Sequence, residues 1–178
     1  MTCIIRKEKE QDRSAVATIN TISFGSPAEA DLVKSLQSQG YAVVSLVAEV
    51  DQQVVGHILF SRVLVVSESK TWTALSLAPM AVLPEYRRQG IGTRLIAAGL
   101  EACRAQGHSA IVVLGDPAYY SRFGFSSELA LDLDSPYAGH PGWMALELTP
   151  GILAGRSGHV EYPPPFQALV GTSTESAY

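Results

Sequence analysis

A disulfide framework, a membrane-crossing helix and a basic surface are all missing from this sequence. The 178 residues hold only two cysteines, Cys3 and Cys103, and thiols so far apart do not make the paired pattern of a secreted scaffold. Cys103 falls inside a helical pattern, where a small core residue is expected rather than a nucleophile. No apolar run approaches the ~20 residues that a bilayer requires. The opening Met1-Thr2-Cys3-Ile4-Ile5-Arg6-Lys7-Glu8 brings charge in too early for the apolar segment of a signal peptide. Thirteen basic residues against 17 acidic give a formal charge of −4, so the basic footprint of a nucleic-acid binder is absent. The expected setting is cytoplasmic, with no membrane and no nucleic acid as partner. Any anion site must be local.

What is present is a globular composition, 47% hydrophobic and 17% charged, long enough to bury a core without staples. Residues 1–170 read as a single domain, and the polar end 171–178 as a frayed tail. Ile4 and Ile5 begin a short strand. Glu10 to Ser23 and Glu29 to Gln39 carry apolar residues at helical spacing, with Phe24-Gly25-Ser26-Pro27 as the break and Gly40 as the stop. Val43 to Val50, Gln53 to Val66 and Trp72 to Val82 read as strands, and Gly56 inside the second marks a bend or bulge. Gly90 to Gln106 is a helix in which Ile91, Leu95, Gly99 and Cys103 recur every fourth residue. Ala110 to Leu114 is continuously apolar, as a buried parallel strand should be. Pro117 to Arg122 reads as a short helix, and the stretch from Phe125 and Trp143 to Leu148 as two more strands. The order predicts an α/β sandwich around a mixed sheet rather than a doubly wound fold.

The junction after Val82 is where chemistry concentrates. Gly90 and Gly92 fall in the first turn of a helix, whose free N–H groups and dipole favour an anion. Glycine lets a bulky anion approach the backbone, and Arg87 and Arg88 add positive charge just upstream. The spacing Arg-x-x-Gly-x-Gly is neither a Walker A loop, since no Gly-Lys-Ser/Thr follows, nor the dinucleotide pattern Gly-x-Gly-x-x-Gly.

The run Leu77-Ala78-Pro79-Met80-Ala81-Val82-Leu83-Pro84-Glu85-Tyr86-Arg87-Arg88-Gln89-Gly90-Ile91-Gly92 resembles motif A of the GNAT superfamily of acyl-CoA N-acyltransferases. It matches Arg/Gln-x-x-Gly-x-Gly/Ala without a gap. The likeness extends over roughly residues 3 to 148, and its style is similar to the YhbS-like bacterial branch. It implies a GNAT-type fold: a mixed, mostly antiparallel sheet, helices on both faces, and a splayed strand pair that takes the cofactor arm. It implies acetyl-CoA as co-substrate, with no metal. The backbone of Met80, Ala81 and Val82 would run beside the pantetheine, one N–H serving as oxyanion donor. The amides of Arg88, Gln89, Gly90, Ile91, Gly92 and Thr93 would hold the pyrophosphate, with Arg87 beside them.

A second run, Gly115-Asp116-Pro117-Ala118-Tyr119-Tyr120-Ser121-Arg122-Phe123-Gly124-Phe125, resembles motif B, in which a Tyr precedes the Gly of a Gly-Phe pair by four residues. Tyr120 stands there and is the candidate general acid for the departing thiolate; Tyr119 is the rival. The family's Asn has no counterpart near Asp116. For the base, Glu29, Glu49, His57, Ser76 and His140 are candidates by type only, and a solvated carboxylate is the plainer reading of Glu29. The implied activity is direct acetyl transfer to a primary amine in a ternary complex, because Cys103 and the serines offer no nucleophile elbow. The acceptor, a small molecule or a protein or peptide amine, stays open. So do a non-catalytic acyl-CoA sensing module, and a dimer or acceptor contact through Pro163 to Phe166, for which packing on its own domain is the plainer reading.

Overall fold

A computed structural model describes residues 2–169; the tail expected to fray, 171–178, lies outside the described residues. The elements run β1 (Cys3–Lys7), α1 (Arg13–Phe24), α2 (Ala28–Ser38), β2 (Ala42–Val50), β3 (Gln53–Val66), β4 (Thr71–Val82), α3 (Ile91–Ala105), β5 (Ala110–Leu114), α4 (Pro117–Tyr120), β6 (Leu133–Asp134), β7 (Trp143–Glu147) and β8 (Gly158–Glu161). The sheet order is β1-β2-β3-β4-β5-β7, with β8 joining the far end of β3 and β6 pairing β8. The path is antiparallel throughout except for β4 with β5, which is the mixed, mostly antiparallel sheet expected.

Alternation along β3 places the helices. Successive side chains of a strand point to opposite faces. A Cβ on Gly56 would lie 3.1 Å from Leu95 of α3, whereas the next residue, His57, meets Asn20 of α1. Helix α3 therefore covers one face and α1 the other. On the α3 side Leu95, Ile96 and Phe60 are fully buried, each worth about 1.5–3 kcal/mol of transfer free energy. Gly99 is small for a reason: a Cβ there would overlap the Phe60 ring. On the other face Val16, Leu32, Leu36, Val47 and Leu59 close around Phe166. The proline run ahead of Phe166 thus packs on its own α1/α2 face.

That face also buries a polar cluster. Asn20 Nδ2 donates to Val16 O at 2.9 Å and reaches His57 Nδ1 at 3.3 Å. Both ring nitrogens of His57 are engaged in this cluster. Nε2 lies 3.0 Å from Ser45 Oγ and 3.5 Å from Glu8 Oε2, and Gln37 and Ser45 donate to the same Glu8 oxygen. Burial alone would raise the Glu8 pKa; hydrogen bonds from His57, Ser45 and Gln37 outweigh it and hold the carboxyl below its ordinary value.

Two of the sheet's three register shifts bear on the site. Ala48 pairs Gly56 but Glu49 pairs Val54, so β3 bulges at the glycine, as its position suggested. On the other side Ile58 pairs Met80 and Phe60 pairs Leu77. Two residues of β4, Ala78 and Pro79, therefore oppose one of β3. Proline has no N–H for a ladder and is at home in a bulge. Strand β5 pairs β4 only at Leu75–Ile111 and Ser76–Val112. The two strands part just before this bulge, and β4 runs on to Val82 without β5 alongside.

Some boundaries differ from those expected. The first helix starts at Arg13 after a 3₁₀ turn at Glu10–Asp12, because the Asp12 carboxylate is bound by Arg6 and by the Lys9 N–H. The strand expected to begin at Phe125 does not form. Ser126 makes one bridge to Ala145, and Ser126 Oγ then accepts from Glu128 N at 3.1 Å, turning the chain into a 3₁₀ turn. The short strands β6 and β8 were not anticipated; each is too brief to show a period.

Candidate active site

The loop between β4 and α3 is built for its amides. After the 3₁₀ turn Pro84–Tyr86, Arg88 has φ 58 and Gly90, the residue before α3, has φ 80. Both are left-handed, a conformation that glycine adopts without cost. Such a loop turns successive N–H groups inward into an anion-binding concavity. Helix α3 adds the positive end of its dipole and its own free first-turn amides. Arg87 does less than its charge suggests: its Nε donates to Val82 O at 3.0 Å, bracing the loop against β4. Gln89 is turned away, with Nε2 on Glu85 O at 3.0 Å.

A cleft of about 690 Å³ opens above this loop. Met80, Ala81 and Val82 form one wall; Arg87, Arg88, Gly90, Ile91, Gly92 and Thr93 border it, as do Tyr119, Arg122 and Phe24. Every predicted cofactor residue except Gln89 faces this one space. Sequence reasoning missed Phe24 and Arg122. Arg122 lies over the Tyr119 ring, 4.6 Å from its centroid, at a helix end that has no period to flag it. A larger hollow of about 840 Å³ lies at the opposite end of β4, between Ser67–Lys70 and Gly155–Gly158. It faces no helix N-terminus and none of the motif residues.

The two tyrosines diverge as neighbours on a helix must. Asp116 caps α4, its Oδ1 accepting from Ala118 N at 2.9 Å. The Tyr119 hydroxyl lies 2.8 Å from where a Cβ on Gly92 would sit, so it belongs to the cleft over α3. Tyr120 is buried, with its ring against Gly115 and edge-on to Phe125 at 5.7 Å. It borders a second, smaller cavity of about 70 Å³. Phe24 and Met80 line both spaces, so the two lie side by side where β4 and β5 have parted.

The base candidates separate cleanly. Glu49 Oε2 is held by Arg6 at 2.7 Å. His57 is locked in its buried cluster on the α1 face. Ser76 is buried within the β4–β5 pairing. His140 accepts from Gly142 N at 2.9 Å in a turn. Glu29 differs: it borders the smaller cavity beside Tyr120, and its Oε2 is buried, not solvated as its first-turn position suggested. Cys103 is fully buried, and burial pushes its thiol up to about 12.

Comparison with known proteins agrees with this geometry. The profile of the Acetyltransferase (GNAT) domain matches residues 42–127. The chain is 38% identical over 161 residues to the uncharacterized N-acetyltransferase YhbS of Escherichia coli K12, covering 89% of this chain and 95% of that protein. It is 39% identical over 138 residues to the uncharacterized N-acetyltransferase YjhQ of the same organism, 76% of this chain and 71% of the other. Among solved structures, E. coli YhbS in complex with CoA superposes with a TM-score of 0.86 at 36% identity, covering 93% of this chain and 92% of that one. A GNAT family acetyltransferase from Brucella melitensis in complex with acetyl-CoA gives 0.77 at 32% identity, covering 93% and 98%. The parted strands, the left-handed amide loop and these relatives agree: the chain belongs to the GNAT family of N-acetyltransferases.

Proposed function

We propose that this chain moves the acetyl group of acetyl-CoA directly to a primary amine, with both substrates bound at once. The observation that carries the proposal is Met80, which lines both the cleft over the amide loop and a second cavity bordered by Tyr120. Two neighbouring spaces that share Met80, with a tyrosine on the wall of the smaller, suit two substrates and one proton transfer. The amides from Arg88 to Thr93 grip the pyrophosphate, and Arg87 braces their loop. The backbone of Met80, Ala81 and Val82 lines the pantetheine, and one of its N–H groups stabilises the oxyanion. An oxyanion donor of this kind is worth about 2.7–4 kcal/mol. Tyr120 protonates the departing sulfur as its bond to the acetyl carbon breaks. The acceptor nitrogen attacks as the neutral amine, its ammonium proton having left to solvent; the second proton, lost as the amide forms, restores that of Tyr120, so amide and free thiol balance the reaction.

An acyl-enzyme through Cys103 is disfavoured because its thiol is buried and protonated. Holding both substrates in register supplies the main rate advantage. The test is thiol release from acetyl-CoA over a panel of amines, amino acids and peptides. Transfer without any trapped acetyl-protein is expected. Binding of acetyl-CoA with transfer to no acceptor would replace this reading with a sensing module.

A further inference from the structure

Glu29 is the group that the transfer reading leaves unused. Its Oε2 is buried and has no hydrogen-bond partner among the described residues. A buried carboxylate oxygen without a donor is costly, and such a group in a native fold calls for a partner. Around it the cavity is mostly apolar, with Leu32, Leu77 and Pro79 on its walls. Among the described residues no lysine, arginine or histidine forms an ion pair with it. The remaining carboxylate and imidazole candidates are engaged elsewhere.

We propose that Glu29 receives the ammonium of the acceptor, and that the acceptor class is an unhindered primary amine, R–CH₂–NH₃⁺, without a carboxylate on the amine-bearing carbon. This rests on the transfer reading above. The cavity is small, about 70 Å³, and mostly apolar around Glu29. A carboxylate on the amine-bearing carbon would enter beside Glu29, where like charges repel. The head enters with Tyr120 on one wall and Met80, which also lines the cofactor cleft, on another, so the nitrogen is held next to the parted strands. Alkylamines and the side chain of lysine belong to this class; free α-amino acids do not.

Isoamylamine and leucine test it, since they differ only by the carboxylate. Initial rates and KM are measured for wild type, Glu29→Gln and Glu29→Asp. Calorimetry of isoamylamine binding to the CoA-loaded protein gives a second readout. The wild type should acetylate isoamylamine and not leucine. Glu29→Gln should raise the isoamylamine KM roughly 10- to 100-fold, the range for a hydrogen bond to a charged group, and weaken amine binding in parallel. Acetyl-CoA affinity should hold in every variant, which reports an intact fold, and Glu29→Asp should recover part of the loss. An unchanged KM in Glu29→Gln, or leucine as the better acceptor, overturns the inference while transfer stands. Glu29-dependent amine binding without turnover supports the inference and overturns the transfer reading. No amine binding and no transfer in the wild type overturns both.

Discussion

The two ends of the candidate site are made of different material. The proposed cofactor end is backbone: one short stretch from Ala78 to Thr93 supplies a bulged strand, a left-handed loop and a helix start. The acceptor end is side chain: Phe24 from α1, Glu29 and Leu32 from α2, Met80 from β4 and Tyr120 from α4 converge on one small cavity. A backbone site depends on φ angles and glycines, which tolerate any side chain that leaves the loop alone. A side-chain site can be rewritten one residue at a time without disturbing the fold.

The contrast predicts that damage at each end shows in a different constant. Tyr120→Phe should give the largest effect, a fall in kcat of about 10²- to 10⁴-fold, the usual worth of a positioned acid. Acetyl-CoA affinity should stay near wild type, because the lost hydroxyl belongs to the acceptor end. Undiminished turnover at every pH would remove Tyr120 from the mechanism and dissolve the contrast. Tyr119→Phe is the internal control. Its hydroxyl lies beside Gly92, so its loss should touch acetyl-CoA binding before turnover.

Gly90→Val should come next and act in the opposite sense. No atom crowds the place a Cβ would take, but φ is +80, a region that β-branched residues resist. Such strain costs about 1–3 kcal/mol, so acetyl-CoA should bind roughly 5- to 150-fold more weakly as the loop moves its amides. Intact affinity measured by calorimetry would break the assignment of the cradle. Arg87→Ala should cost less, about threefold to tenfold, the loss of a hydrogen bond of ordinary strength. Its Nε is already spent on Val82 O. A larger loss for Arg87→Ala than for Gly90→Val would mean that side-chain charge, not backbone, holds the anion.

The same contrast explains what the sequence could reveal. Gly90, Gly92 and the arginines sit within six residues of one another, and their spacing encodes loop conformation directly, so fold and cleft were legible together. Pro79 marked nothing by itself; only the pairing of Ile58 and Phe60 showed that it sits in a bulge. Glu29 looked like a solvated carboxylate because helix position is local information, whereas the cavity it borders is walled by Leu77, Pro79 and Tyr120, all distant in the chain. The strand expected from Phe125 failed for a related reason. Apolar content there serves packing against Tyr120, and Ser126 redirects the backbone.

The smallest effect concerns how the acceptor end is tied down. Helices α1 and α2 carry Phe24, Glu29 and Leu32, and the start of α1 is anchored to β1 by Arg6 with Asp12 at 2.6 Å. The Arg6 guanidinium hydrogen-bonds to the Asp12 carboxyl and, against the opposing effect of burial, holds it below its ordinary value of 3.8. A carboxyl with a depressed folded pKa stabilises the fold while ionised. Its contribution is therefore complete above about pH 4 and is lost as pH falls through the lower folded value. Asp12→Asn should cost about 1.5 kcal/mol of stability at pH 7, the low end for a hydrogen bond to a charged group, since the carboxylate is buried but Arg6 keeps Glu49, and should flatten the fall of Tm below pH 4. At pH 7 acetyl-CoA affinity should not change, because the cradle at the head of α3 does not use this anchor. A slackened α1 start should register first as a raised amine KM. If acid or Asp12→Asn weakened acetyl-CoA binding before amine binding, the two ends would share one scaffold rather than two.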